Sequence, residues 1–204
     1  MCMIICFHRI NTIKELNKIP HNYGVEVDIN IFNYNLCLSH DPGKKGLELK
    51  NFLKYFKHKF IIFNVKSEGL EKKIFSEIKK FKIKNFFFLD SSFPYIYKLS
   101  KVLTKNFAIR VSDFENINTA LNMKNKVKWI WLDCFKNYTF SIKNLKDLKK
   151  YNFKLCLVSP DLHGRNLKEK DKQFFKKLKK NKIIPDMICI KKNNLYFLKD
   201  LIKQ

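Results

Sequence analysis

Two hydrophobic patterns alternate along the chain. Eight short runs are almost continuously apolar and rich in β-branched and aromatic residues, which is typical of parallel strands buried on both faces. These runs lie at 3–7, 24–29, 60–65, 86–89, 107–111, 128–133, 154–158 and 187–190. Between them, apolar residues recur at helical spacing over 47–58, 70–81, 94–103, 113–123, 142–151, 169–180 and 193–203.

This alternation predicts a compact (β/α)8 barrel, in which eight parallel strands close into a cylinder surrounded by helices. A doubly wound open sheet is the second interpretation, but neither of its usual phosphate-binding glycine motifs occurs. A short hairpin of 31–33 with 36–39 is expected around Tyr34 and Asn35. Ser141 and either Ser112 or Asp113 are expected to cap helices. No repeat or Pro/Gly-rich linker divides the chain, so residues 1–204 are interpreted as a single domain.

The amino-acid composition excludes several classes of protein. Of the 204 residues, 46% are hydrophobic, which is too many for a disordered chain. No apolar run approaches the ~18 residues of a membrane span, and residues 1–7 lack the length and charge of a signal peptide. The net charge of +24 invites a nucleic-acid partner, but only three of the 42 basic residues are arginines and the lysines are dispersed. The dispersed charge argues against a nucleic-acid partner but is compatible with peripheral contact with a membrane. The sequence does not indicate an oligomeric state.

The cysteines indicate a cellular compartment. No two are spaced as CxxC, and five of the six lie inside apolar strand-like runs. The six are Cys2, Cys6, Cys37, Cys134, Cys156 and Cys189. We interpret them as reduced, buried thiols of a cytoplasmic protein, and expect neither a disulfide framework nor a zinc site.

Polar residues collect where the predicted strands end, which is where barrels of this kind carry their chemistry. Glu26 and Asp28 are two residues apart on a strand and therefore point to the same face. Two carboxylates inside a barrel repel each other and lose hydration unless a cation joins them. Oxygen ligands suit Mg²⁺ or Ca²⁺. The alternative is that Lys66 or an arginine neutralises the pair.

Two histidines lie near this pair in the predicted fold. His8 ends the first strand, and His40 follows the hairpin after the second. Because imidazoles exchange protons near neutral pH, two of them beside a reacting phosphorus suit a general base and a general acid. His21 and His58 fall in predicted helix or loop segments and are expected to be structural. The role of His163 stays open.

The rare arginines are the other candidates for binding an anion. Arg9, Arg110 and Arg165 each sit at or just beyond the end of a predicted strand. A guanidinium holds phosphate with a planar fork that lysine cannot reproduce. We therefore expect these three residues to contact a phosphate-bearing substrate.

Three motifs together resemble the glycerophosphodiester phosphodiesterase family, which is related to phospholipase-C-like phosphodiesterases and spider-venom-type phospholipases D. They are His8-Arg9, Glu26-x-Asp28 and His40-Asp41-Pro42, in that order. The resemblance covers the first third of the chain, through Lys66, and elsewhere extends only to architecture. It implies a metal-dependent (β/α)8 barrel that cleaves a small-molecule phosphodiester.

The resemblance also implies roles for individual residues. His8 and His40 correspond to the catalytic pair, and Glu26 and Asp28 to ligands of one divalent ion, Mg²⁺ or Ca²⁺. Arg9 and Lys66 correspond to the residues that contact the phosphate.

The chain departs from the family pattern in three places. Ile10 stands where glycine is usual, and Asn64 stands where an acidic residue is usual. An amide oxygen still binds Mg²⁺ or Ca²⁺, without a charge, so Asn64 is the third candidate metal ligand. The segment that the glycerol-phosphodiesterase branch inserts after the position of His40 is missing here. The segment 160–165 is not part of the family pattern, and we interpret it as a candidate substrate loop.

Three alternatives stay open, the first two because of Asn64 and the third because of the net charge alone. The first is a catalytically inactive barrel that binds a phosphorylated ligand. The second is a metal-free lyase that releases a cyclic phosphate. The third is a basic protein that binds nucleic acid or a membrane surface.

Overall fold

The computed structural model describes residues 3–192 of the chain. Each of the eight predicted runs forms a strand, and two further short strands follow the second run. In chain order the strands are β1 (Ile4–Phe7), β2 (Gly24–Phe32), β3 (Asn35–Leu38), β4 (Leu47–Glu48), β5 (Phe60–Val65), β6 (Phe86–Leu89), β7 (Ala108–Val111), β8 (Trp129–Leu132), β9 (Lys154–Val158) and β10 (Met187–Ile190).

The eight predicted strands close into a parallel barrel. β1 pairs with β2 and β10, β2 pairs with β5, and β5 pairs with β6. On the other side, β7, β8, β9 and β10 pair in succession. A parallel bridge between Phe88 and Phe107 joins β6 to β7 and completes the ring. The predicted (β/α)8 barrel is therefore confirmed, and the closed ring distinguishes it from an open sheet.

The helices of residues 3–192 lie between the strands. They are α1 (Ile13–Leu16), α2 (Leu49–Leu53), α3 (Glu71–Lys80), α4 (Phe93–Leu103), α5 (Ile117–Asn122), α6 (Ile142–Lys150) and α7 (Glu169–Lys180), with short 3₁₀ turns at Thr104–Asn106 and Pro160–His163. Within this part of the chain, no helix has the length and apolar character needed to cross a membrane. The predicted helix 193–203 lies outside the described residues.

The helix predicted over 47–58 is mostly wrong. Leu47 and Glu48 instead pair with Leu38 and Cys37 as β4, and helix follows only at Leu49–Leu53. This pairing depends on the edge that β3 offers, which the local spacing of apolar residues does not reveal.

One of the expected helix caps is confirmed and the other is wrong. The Ser141 side chain accepts a hydrogen bond from the N–H of Asn144 at the start of α6. At α5, the cap is Asn116 rather than Ser112 or Asp113. The Asp113 carboxylate instead accepts the N–H groups of residues 135 and 136, which belong to the loop after β8.

The predicted hairpin is present with its turn one residue earlier than expected. β2 and β3 pair in antiparallel fashion, and the turn residues are Asn33 and Tyr34, both with positive φ (44° and 63°). Two positive φ values characterise the tight turn whose twist matches that of the flanking strands.

Apolar side chains cover both the outer and the inner face of the barrel strands. Alternate residues such as Ile61 and Phe63 face the helices, while Phe60 and Ile62 belong to a second cluster inside the barrel. Aromatic side chains and Cys6, Cys156 and Cys189 belong to that inner cluster. The buried polar side chains of these strands therefore gather at the carboxyl ends, which form the mouth of the barrel.

Candidate active site

Three buried oxygen-bearing side chains meet at the mouth on β2 and β5. Glu26 and Asp28 are fully buried on one face of β2, and Asn64 of β5 is the register partner of Asp28. One oxygen of each side chain is buried without a hydrogen-bond partner, namely Oε1 of Glu26, Oδ1 of Asp28 and Oδ1 of Asn64. The structure thus brings together all three predicted metal ligands.

Asp28 is held by an asparagine that the sequence reasoning missed. The Asn11 amide donates to Asp28 Oδ2 (2.9 Å), and the Asp28 N–H donates to Asn11 Oδ1 (2.9 Å). Lys66 Nζ lies 3.4 Å from Oδ1, and Arg9 Nε lies 3.8 Å from Oδ2. The carboxylate is therefore fixed in orientation and lies between two cations.

Glu26 and His8 form a second close pair. Arg9, in a left-handed backbone conformation (φ 55°), donates its N–H to Glu26 Oε2 (2.7 Å), and His8 Nε2 lies 3.7 Å from the same oxygen. Burial, followed by the charge of Asp28, raises the pKa of Glu26 to about 8. Burial, followed by the charge of Arg9, lowers the pKa of His8 to about 3. At neutral pH, His8 is therefore uncharged, and burial favours the protonated form of Glu26.

The oxygens at this site fit a hard divalent cation. Within residues 3–192, no three His, Cys, Asp or Glu side chains come together as a metal-binding group. Glu26 and Asp28 supply two carboxylates, and the third oxygen would be the unpartnered carbonyl oxygen of Asn64. Carboxylate and amide oxygens are the donors that Mg²⁺ and Ca²⁺ take.

His40 lies on the loop that follows β3. Ser39 ties this loop to the mouth by donating its N–H to the Asp28 carbonyl oxygen (3.1 Å). The His40 Nδ1 lies 2.8 Å from Asp41, which also binds Lys44 (2.7 Å), and the His40 side chain is 44% exposed. Its catalytic role stays a prediction.

A chain of ion pairs continues from Asp28 around more than half of the mouth. Lys66 Nζ is 4.0 Å from Asp90 Oδ2, and Asp90 binds the Arg110 guanidinium. Arg110 donates to Asp133 (3.1 Å), which binds His163. We call this set the charged arc. One member lies on, or in the segment after, each of six consecutive barrel strands, and the members are Asp28, Lys66, Asp90, Arg110, Asp133 and His163.

The two predicted substrate arginines beyond Arg9 are already paired. Arg110 belongs to the charged arc, at the mouth. Arg165 instead makes a two-pronged ion pair with Asp171 of α7 (2.7 and 3.0 Å) and donates to the Cys134 carbonyl oxygen (3.4 Å). These contacts hold the 160–165 segment to α7. The substrate-binding role of Arg165 stays a prediction, and the pairing of its guanidinium with Asp171 does not favour it.

His58 has a structural partner, as expected. Its Nε2 lies 2.8 Å from the Ile19 carbonyl oxygen, and its ring packs against His21 (5.1 Å). Both histidines belong to loops that precede strands, at the end of the barrel away from the mouth.

Comparisons with known proteins agree with the fold. No family model and no curated protein matches the chain. A solved structure from Agrobacterium tumefaciens, described as a glycerophosphoryl diester phosphodiesterase, is similar with a TM-score of 0.68 and 11% identity, covering 98% of each chain. A glycerophosphoryl diester phosphodiesterase from Parabacteroides distasonis has a TM-score of 0.61 and 8% identity, over 97% of this chain and 86% of its own. At such identities the likeness shows a shared barrel fold.

Proposed function

We propose that this protein is a metal-assisted phosphodiesterase that cleaves a small phosphodiester resembling a glycerophosphodiester. One observation carries the proposal: three buried oxygens that accept no hydrogen bond lie at the mouth beside His8 and Lys66. The motifs that resemble the glycerophosphodiester phosphodiesterase family lie at the same place, and the shared fold supports that relationship.

The side chains around these oxygens suit the steps of phosphodiester cleavage. Arg9 and Lys66 would bind the non-bridging phosphate oxygens and stabilise the charge that builds on them. A divalent ion held by Glu26, Asp28 and Asn64 would add Lewis-acid stabilisation of that charge. Neutral His8 would accept a proton from the nucleophile, since a bound phosphate anion beside it favours its charged form.

The second proton-transfer group implied by the family resemblance is His40. The nucleophile is either water or a neighbouring hydroxyl of the substrate, and the latter would release a cyclic phosphate. The phosphorus NMR spectrum of the product distinguishes the two, because a monoester and a cyclic diester have different shifts.

The test is turnover of glycerophosphodiesters with Mg²⁺, Ca²⁺ or a chelator. We expect activity only with an ion, and we expect Glu26→Gln and Asp28→Asn each to remove most of it while the protein stays folded. Glu169→Gln is the matched control, since Glu169 is exposed on α7. If both site variants keep wild-type rates, the metal site is not needed for the reaction.

A binding barrel without chemistry is the second candidate function. Two observations favour it: Asn64 brings no charge to the oxygen cluster, and Lys66 and Arg9 already lie near Asp28. In that case no ester is cleaved with any ion, but calorimetry detects binding of a phosphate monoester. Lys66→Met should weaken that binding, whereas Lys101→Met, at an exposed position on α4, should not.

A further inference from the structure

A lysine follows the last barrel strand and lies beside His8. β10 pairs with β1 in parallel fashion, and Ile190 is the register partner of Phe7. The His8 N–H donates to the Ile190 carbonyl oxygen (2.9 Å), so the pairing extends to the ends of both strands. Lys191 and His8 are the next residues, and neighbouring strands lie about 4.8 Å apart. Lys191 is therefore the neighbour of His8 at the mouth.

The side chains of Lys191 and His8 belong to the inner face of the barrel. Cys6 and Cys189 are members of the inner apolar cluster, and His8 and Lys191 each follow two residues later. Residues two apart along a strand face the same side. The charge of Lys191 also acts on the imidazole: burial and the charge of Arg9 lower the pKa of His8 most, and the charge of Lys191 lowers it further. The ammonium thus lies near the proposed reaction site.

The ammonium of Lys191 is available for a ligand. The Lys191 N–H donates to Asp161 Oδ2 (3.0 Å), which holds the backbone, while the side chain is exposed. Within residues 3–192, the ammonium makes no ion pair. Arg9 and Lys66, by contrast, already lie 3.8 and 3.4 Å from oxygens of Asp28.

The positive charge on this side of the mouth exceeds what one phosphodiester balances. Four consecutive strands, β5, β2, β1 and β10, bring Lys66, Asp28, Arg9 and Lys191 to the mouth. Burial favours the uncharged form of Glu26, so only Asp28 offsets the three cations. A phosphodiester brings one negative charge, and Lys191 is the cation farthest along the ring from Asp28. A second negative charge on the substrate would complement it.

We propose that Lys191 is a specificity-determining residue that binds a second anionic group of the substrate, carried by one of its two alcohols. The inference rests on the proposed function and deepens it, because it narrows the substrate to a phosphodiester of an anionic alcohol. With the phosphate at Arg9 and Lys66, an alcohol that extends past His8 meets Lys191 on the adjacent strand. The ammonium binds anionic oxygens through charge-assisted hydrogen bonds.

The test uses two diesters of glycerol phosphate that differ in charge but hardly in shape, one with glycolate and one with glycolamide as the second alcohol. The readout is the ratio of kcat/KM for the glycolate ester to kcat/KM for the glycolamide ester, measured with Mg²⁺ or Ca²⁺. We expect Lys191→Met to lower this ratio about tenfold, the effect of losing one hydrogen bond to a charged group, mainly through a higher KM for the glycolate ester. Any effect of Lys191 on His8 acts on both esters alike and cancels in the ratio.

Further variants separate the charge of Lys191 from its other properties. Lys191→Glu should lower the ratio more than Lys191→Met, since a carboxylate repels the glycolate, and Lys191→Arg should keep most of the wild-type ratio. High salt should lower the ratio of the wild type, because counter-ions screen the pair. Lys180→Met, at an exposed position on α7, removes the same charge elsewhere and should leave the ratio unchanged.

Two kinds of failure are distinguishable. A ratio that stays the same in Lys191→Met, or that Lys180→Met lowers equally, would overturn the assignment of Lys191 and leave the proposed function intact. If the wild type cleaves neither ester with any divalent ion, the proposed function itself is wrong and the assignment falls with it.

Discussion

At the scale of single residues, Asn11 determines how Asp28 is presented at the mouth. Its side-chain amide makes two hydrogen bonds, 2.9 Å each, and both join it to this one residue. We expect Asn11→Ala to lower the free energy of unfolding by about 1–3 kcal/mol, because a buried carboxylate loses a donor. Activity and metal affinity should fall by about 10–100-fold, as is usual when a ligand loses its supporting hydrogen bond.

Denaturant unfolding and metal titration of this variant provide the measurement. Asn122→Ala is the control, since Asn122 is exposed on α5. Unchanged metal affinity in Asn11→Ala would mean that Asp28 is oriented by Lys66 and Arg9 alone.

Glu26 makes the stability of the metal-free protein depend on pH. Burial raises its pKa to about 8 in the folded state, against about 4.3 in an unfolded chain. Between these values the folded state binds more protons than the unfolded state, so stability falls as pH rises toward 8. We expect Glu26→Gln to remove this loss and to unfold at a higher temperature than the wild type at pH 8 with chelator. A difference between the two proteins that is the same at pH 5 and pH 8 would contradict this.

The sequence predicted the residues of the acid pair but not their supports. Glu26 and Asp28 could be recognised because two acids at strand spacing in an apolar run are costly without a function. Asn11 and Asp90 carry no such signal, since polar residues commonly follow strands. Their importance comes from contacts between strands that are distant in sequence, which spacing along the chain does not contain.

At the scale of elements, the turn between β2 and β3 carries conformational strain. Tyr34 has φ of 63° and is 92% exposed, so its side chain gains little from burial. Tight turns of this kind favour Asn followed by Gly. We expect Tyr34→Gly to stabilise the protein by up to about 1 kcal/mol, because glycine adopts positive φ without steric cost. Thermal unfolding measures this, and Tyr34→Ala, which removes the same ring but keeps a Cβ, should not stabilise.

Some elements are determined by their own residues, whereas others depend on segments that are distant in sequence. All eight barrel strands were predicted because a strand buried on both faces is nearly continuously apolar, whatever its neighbours. The segment 47–58 was not, because Leu47 and Glu48 form a strand only where β3 offers them an edge. The caps of α5 and α6 differ for a similar reason: Ser141 caps locally, whereas Asp113 is recruited by the loop after β8.

At the scale of the whole molecule, the barrel is least continuous between β6 and β7. β2 and β5 share six register pairs, whereas β6 and β7 are joined by the single bridge between Phe88 and Phe107. Within residues 3–192, two polar side-chain contacts span this seam: Asn106 donates to the Phe86 carbonyl oxygen (2.9 Å), and Arg110 binds Asp90 at the mouth. The charged arc therefore closes the barrel where its backbone ladder is shortest.

This arrangement predicts a local effect of removing Arg110. In Arg110→Met, Asp90 and the buried Asp133 lose their shared cation, and breaking a pair of this kind costs on the order of 3 kcal/mol. We expect amide hydrogen exchange to accelerate in β6 and β7 while β2 and β5 keep their protection, since opening begins where the fewest hydrogen bonds must break. Arg165→Met is the matched control: it breaks the two-pronged pair with Asp171 and should loosen α7 without affecting the seam. A uniform rise in exchange across all strands in Arg110→Met would show that the barrel opens as one cooperative unit and that the arc does not hold the seam.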